Sequence, residues 1–285
     1  MRRPVPALIV LIVLACGCVR AAEENDCFGG DRTIKKEIAG FALTISYYHD
    51  PTLPTAIEEC RAVIRDARHH VIFSAHDLGM ALLVAGQDVN GDGAPDVVLE
   101  GESGGNHGTK TYYVVSLGGK PGLIVRFRTD AVPAKFMQND SSHRIEVRTW
   151  DGNFFMFDGM AAAFSPYPAV YLQIDGAKLH DISPQHRADY DKAIEKLKTS
   201  FPVADFARFR VIDESWQKAG EEAPASQVLR IAVAYLYSGR PSLAHKTIAE
   251  MWPPFDQERV WRLILKTRQK GILQYARNRK PEYSP

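Results

Sequence analysis

Cysteine is scarce in this 285-residue chain, neither sign of charge dominates, and no repeat period or zinc-site signature runs through it. Each absence removes a class of function. Of four cysteines, Cys16 and Cys18 fall within the first eighteen residues and leave Cys27 and Cys60, whose spacing excludes a CxxC redox or zinc motif. With Lys+Arg at 35 against Asp+Glu at 34, there is no basic footprint for nucleic acid or for an anionic membrane. His69, His70, His76 and His107 lack the HExxH or Cys/His spacing of a zinc set. No fixed period recurs, which argues against a closed multi-blade propeller. Beyond the N-terminus no apolar run is long enough to cross a bilayer.

What is present starts with an export signal. Met1-Arg2-Arg3 forms a basic n-region, the apolar run from Val5 to Ala15 is too short to span a membrane, and small residues follow it. Two processing sites compete. Val19-Arg20-Ala21 has small residues where a signal peptidase needs them, which makes residues 1–21 a signal peptide, whereas Val13-Leu14-Ala15-Cys16 is similar to a bacterial lipobox and would leave a lipid anchor on Cys16. The expected location is periplasmic or extracellular. Cleavage after Ala21 removes Arg2, Arg3 and Arg20, so 35 basic residues become 32 against 34 acidic ones, a formal charge of −2. Cys27 and Cys60 then remain in an oxidising compartment and are expected to pair.

The most specific segment is Asp88-Val89-Asn90-Gly91-Asp92-Gly93-Ala94-Pro95-Asp96. A hard dication takes six to eight oxygens, and Asp88, Asn90, Asp92 and Asp96 with the Ala94 carbonyl offer them at loop positions 1, 3, 5, 9 and 7; Gly93 stands at position 6, where the chain must turn. Position 12 is Leu99, not the bidentate Glu of an EF-hand, and the flanks 81–85 and 96–100 are extended, not helical. The segment therefore reads as a calcium loop between two strands that rigidifies rather than catalyses. The competing reading is a metal-free Asn-Gly and Asp-Gly turn. The pattern resembles the calcium loops of FG-GAP and VCBS repeats, over roughly twenty residues, and that resemblance implies a metal but no activity.

The fold class expected is α+β: a mostly antiparallel β domain over 22–182, with a single calcium loop and no full propeller, followed by an α-helical region over 183–285. Phe41/Leu43/Ile45/Tyr47 and Ile145/Val147/Thr149 alternate as half-buried strands do, and Asp151-Gly152, Asp158-Gly159 and Asp175-Gly176 are hairpin candidates. From Ser183, expected to cap with Pro184 at the first helical position, Tyr190, Ile194, Leu197 and Phe201 form one apolar stripe. Ile231, Ala232, Tyr235, Gly239, Ala244 and Ile248 resemble the register of one tetratricopeptide repeat over 226–252, with Val228 where that family commonly has Trp. A single repeat forms no groove by itself, so this hairpin is either structural or one face of a partner site. The layout as a whole resembles a group of exported bacterial proteins defined by architecture rather than activity.

No catalytic set emerges. Gly101-Glu102-Ser103-Gly104-Gly105 is similar to the nucleophile turn of trypsin-like proteases, but His76 and Ser103 are too close in sequence to sit on two barrels, and the acids between them belong to the loop. Glu100 and Glu102 share a strand face, as a glycosidase pair or a solvated face would. The function expected is a calcium-stabilised, non-catalytic binding protein of the bacterial envelope whose partner is a protein or an envelope glycan. The alternative is an envelope hydrolase with a site at Ser103 and His107 beside the calcium loop.

Overall fold

The computed structural model describes Cys27 and residues 32–49, 58–105, 108–130, 132–139, 144–200 and 202–276. Residues 1–21, expected to be a signal peptide and including Cys16, and His107 and Phe201 lie outside the described residues. Twelve strands form three open, four-stranded antiparallel sheets, a mixed α+β architecture with no closed barrel or propeller among the described residues. The first sheet runs β1 (Ile34–Ile38), β2 (Phe41–His49), β3 (Glu58–Arg65), β4 (Val71–Asp77). The second runs β5 (Gly79–Gln87), β6 (Asp96–Glu102), β7 (Thr109–Ser116), β8 (Gly122–Asp130). The third comprises β9 (Lys135–Gln138), β10 (Ile145–Trp150), β11 (Ala169–Asp175) and β12 (Lys178–Asp181), with β12 and β9 at its edges.

The second sheet is the middle layer, and β6 says why. Val97, Val98 and Leu99 are all buried, the continuous apolar run of a strand covered on both faces. Val97, Leu99, Tyr113 and Val115 pack against Leu43, Ile45, Ile64 and Phe73 of the first sheet. Val98, Tyr112 and Val114 face the other way, toward Val147, Val170 and Leu172 of the third. A bulge in β5 makes the double duty possible: Leu82 pairs with Leu99, but Val84 pairs with Val98, so Leu83 is the extra residue and the strand's apolar side chains change faces across it. Cys27 and Cys60 are joined by a disulfide with Cα atoms 6.2 Å apart, and the Cys27 amide donates to the Met80 carbonyl at 3.1 Å, strapping the start of the described chain across the first two sheets.

Among the described residues six α-helices follow: α1 (Arg187–Thr199), α2 (Val203–Arg210), α3 (Trp216–Ala219), α4 (Glu222–Tyr237), α5 (Pro241–Met251) and α6 (Gln257–Lys270). Their apolar faces do not close on each other alone. Tyr190, Ile194, Val228, Leu236, Tyr237, Ile248 and Ile264 belong to the same continuous core as Val98, Tyr112 and Val147, so the change at residue 182 is one of secondary structure and not a seam in packing. Helices α4 and α5 form the hairpin read from the sequence, with Ala244 and Ile248 fully enclosed. Gly239, at φ +76°, ends α4 in a Schellman turn: its amide donates to Leu236 O and that of Arg240 to Tyr235 O, and a Cβ there would lie 3.1 Å from Pro184.

Two local expectations are corrected. Ser183 caps no helix; a short 3-10 turn at Ser183–His186 precedes α1, and the Ser183 hydroxyl instead accepts from the Tyr171 amide at 3.0 Å and donates to its carbonyl. Of the three Asp-Gly hairpin candidates outside the 88–96 loop, Asp175-Gly176 joins two neighbouring strands, β11 and β12. Asp151-Gly152 and Asp158-Gly159 lie in 3-10 turns of the long β10–β11 connection, where their carboxylates reach the helices: Asp151 accepts from Tyr237 and Asp158 pairs with Arg259.

Candidate functional site

The loop 88–96 joins β5 to β6, and its acids turn inward. Asp88 accepts from the Gly91 amide at 2.6 Å through Oδ1 and from the Gly93 amide at 2.9 Å through Oδ2. Asn90 Oδ1 accepts from the Asp92 amide, Asp92 Oδ1 from the Ala94 amide, and the Asn90 side-chain amide donates to Asp92 Oδ2. These are the nested turns that Asn and Asp favour, made possible by Gly91 and Gly93 at φ +79° and +80°.

Asp96 differs from the others because it is 0 % exposed. Its Oδ2 accepts from the Val89 and Asn90 amides at 2.8 and 3.2 Å, while Oδ1 is enclosed and accepts no hydrogen bond. Burial raises its pKa; the Val89 and Asn90 amides and the facing Ser116 hydroxyl pull it back, and Asp92 pushes it further up. Among the described residues none of Asp88, Asp92 and Asp96 takes an ion pair. Nor do any three His, Cys, Asp or Glu side chains there converge as a metal cage, so a cation in this loop would also need the Asn90 side chain and a backbone carbonyl such as that of Ala94. Ala94 itself lies under Gly118, where a Cβ would come within 2.6 Å of the alanine methyl.

The residues that dock the loop carry no signal in the sequence. Arg144, just before β10, donates from Nη2 to Asn90 O at 3.2 Å, to Ile174 O at 3.1 Å and to Asp175 Oδ1 at 3.3 Å. The Gly176 amide donates to the same Asn90 carbonyl at 2.9 Å. A Cβ at Gly91 would fall inside the Arg144 guanidinium, so glycine there serves close approach as well as backbone conformation. The loop is thereby a joint between the second and third sheets. Its partner is an arginine 54 residues along, which no local pattern could single out.

The hydrolase placement needs correction. Asp96 opens β6 and Ser103 follows its last residue, so the seven residues of the strand put Ser103 about 20 Å from the loop, at the opposite end of the sheet and not beside it. Ser103 closes the turn into β7: its hydroxyl accepts from the Thr109 amide at 2.8 Å and its amide donates to the Thr109 carbonyl. His107 lies outside the described residues. Glu100 and Glu102 are clamped by one cation, Lys110 Nζ, at 2.6 and 2.8 Å, and Glu100 also accepts from the Tyr112 hydroxyl at 2.7 Å. That arrangement leaves both carboxylates occupied by one ammonium. His70, in the β3–β4 turn, lies against Asp66 at 3.1 Å, and His76, on β4, against Glu59 at 2.8 Å.

No family model, curated protein or solved structure matches the chain.

Proposed function

We propose that this protein is an exported, calcium-braced binding protein of the bacterial envelope that carries out no chemistry of its own. Asp96 carries the reading: a fully buried carboxylate with one oxygen that accepts no hydrogen bond, inside a loop whose other two acids pair with no cation among the described residues. A buried charge left in that state is costly, and a hard dication is the partner its all-oxygen surroundings suit. Asp88, Asn90, Asp92 and Asp96 with the Ala94 carbonyl would hold it, and bound calcium supplies charge neutralisation and rigidity. Since the loop is pinned by Arg144 and Gly176, stiffening it stiffens the joint between two sheets. The partner, a protein or an envelope glycan, would then meet a surface whose shape is fixed before it binds.

Thermal unfolding in calcium, in magnesium and in EDTA tests this. With a dissociation constant near 10⁻⁴ M, 10 mM calcium should stabilise the fold by roughly 2.7 kcal/mol. Calorimetry should show one site, and Asp92→Asn should lose most of the gain. A parent protein indifferent to calcium, or an Asp92→Asn variant that responds as fully as the parent, would remove the metal from the account.

A further inference from the structure

The chain holds a single Asn-Gly pair, Asn90-Gly91, and the fold encloses it. In such a pair the asparagine side chain is open to attack by the next backbone nitrogen, because glycine puts no Cβ in the way and bends freely. Asn90 is only 2 % exposed, and every one of its polar atoms is engaged. Its backbone amide donates to Asp96 Oδ2 at 3.2 Å, its Nδ2 donates to Asp92 Oδ2 at 3.1 Å, and its Oδ1 accepts from the Asp92 amide at 3.0 Å. Its carbonyl accepts from Arg144 Nη2 at 3.2 Å and from the Gly176 amide at 2.9 Å. The Gly91 amide, whose nitrogen would be the nucleophile, donates to Asp88 Oδ1 at 2.6 Å.

Ring closure needs three things that this arrangement withholds. The Gly91 nitrogen must be free of Asp88, the Asn90 carboxamide must leave Asp92 and turn its Cγ onto that nitrogen, and water must reach the ring that forms. Each requires the loop to open. The clasp that opposes opening is remote in sequence: Arg144 precedes β10, and Gly176 stands between β11 and β12. The Arg144 guanidinium also lies over Gly91, its Nη2 2.3 Å from where a Cβ would be, so one side chain both holds the Asn90 carbonyl and covers the residue that would attack.

We propose that Asn90 is a modification site gated by the Arg144 clasp. When the loop opens, the Gly91 nitrogen gives up its proton to solvent and bonds to Asn90 Cγ; the Cγ–Nδ2 bond breaks, ammonia leaves, and a succinimide remains. Water then adds to one of the two ring carbonyls and the ring C–N bond breaks, which leaves aspartate or isoaspartate at position 90. The net change is an amide and water converted to a carboxylate and ammonium, with nothing oxidised or reduced. Aspartate keeps an oxygen at that loop position but loses the donor to Asp92 Oδ2 and sets a fourth carboxylate among three. Isoaspartate adds a carbon to the backbone, so the bonds of the residue's amide and carbonyl no longer keep register. Both products weaken the joint between the second and third sheets, at a rate set by the fraction of time the loop is undocked. The inference does not rest on calcium, because the clasp is made by the chain alone; calcium held in the loop would add to the protection.

The test incubates the full chain at mildly alkaline pH, in calcium and in EDTA, and follows the peptide carrying Asn90 by mass spectrometry, with isoaspartate read by methyltransferase labelling and opening read by hydrogen exchange of the Gly91 amide. Conversion should be about a hundredfold slower in the folded protein than in urea-unfolded protein. Arg144→Gln should speed it about tenfold, with Gly91 exchange rising in step. Low, non-denaturing urea makes the same comparison on the unaltered chain, and there too the two rates should rise together. Equal rates in folded and unfolded protein, no conversion in the unfolded protein, or a folded rate that both Arg144→Gln and low urea leave unchanged overturns the inference. Slower conversion in calcium than in EDTA supports it and the metal together; equal rates in the two, with the Arg144→Gln acceleration intact, support it and remove the metal.

Discussion

The two ends of the strands β6, β7, β8 and β10 are built on opposite terms. At the loop end three carboxylates, Asp88, Asp92 and Asp96, take amide donors but no cation among the described residues. At the other end, where a cleft opens beside Asp151 between β8, the turn after β10 and the end of α6, Glu100 and Glu102 share Lys110, and Asp151 collects a hydroxyl and two amides. Helix α6 there carries Arg262, Lys266 and Lys270, which pair with no acid among the described residues. One end thus holds acids that pair with no cation and the other cations that pair with no acid among the described residues, while the chain as a whole is near balance. A net charge near zero conceals this, and only the pairing of individual groups reveals which surfaces are incomplete.

The cleft end should break first and hardest. Asp151→Ala leaves the Tyr237 hydroxyl and the Asn153 and Ile272 amides buried without an acceptor, and should cost about 3 kcal/mol or more in denaturant unfolding. Tyr237→Phe removes one donor and keeps the carboxylate's amide bonds, for about 1 kcal/mol. Equal and small losses in both would mean that Asp151 is not the post on which the β10 turn and the end of α6 are fixed.

The loop end is sharpened by comparing two glycines of the same φ. Gly93→Ala faces open space and should cost only the left-handed strain of a Cβ, about 1–2 kcal/mol. Gly91→Ala carries the same strain and also displaces Arg144 from the Asn90 and Ile174 carbonyls, so about 2–3 kcal/mol is expected. The difference between them, read in urea, measures the docking of the loop on the third sheet. Identical values would mean that Arg144 yields freely and that the loop does not couple the sheets.

How much of this was legible in the sequence follows from the range over which each feature is specified. The α+β class, the strands around the loop, the α1 stripe of Tyr190 and Ile194 and the Gly239 turn all arise from neighbours within a turn or a strand. The acids of the loop were visible for the same reason. Three long-range facts were not: that Ser183 serves a strand, that Asp151-Gly152 anchors helices and makes no hairpin, and that Arg144 clasps the loop. Each depends on a partner a dozen or more residues away, 12 for Ser183 to Tyr171 and 86 for Tyr237 to Asp151. An Asp-Gly pair has the same local chemistry in a hairpin and in a buried post, so only packing separates them.

The smallest effect concerns Asp77, the acid of the cleft end that most resembles those of the loop. It ends β4 and packs under Gly101, where a Cβ would lie 2.9 Å from its Oδ2; burial raises its pKa, and repulsion from Glu59 adds to this, against the Leu78 amide, His76 and Arg128, which lower it. A carboxyl whose folded pKa is raised holds its proton more tightly in the folded state than in the unfolded one. Stability should therefore fall as pH rises from the unfolded value of 3.8 through the raised folded value, and the full cost should persist at neutral pH. Asp77→Asn keeps an oxygen for the Leu78 amide, which Oδ1 now accepts at 3.0 Å, and removes the titration. The variant should be more stable at pH 7 by roughly 0.5 kcal/mol or less, with a flatter stability profile through that acid window. A variant less stable at pH 7, or one whose profile keeps the parent slope, would show that the charge of Asp77 is compensated, and the loop would then hold the only acids of the two ends that lack a partner for their charge.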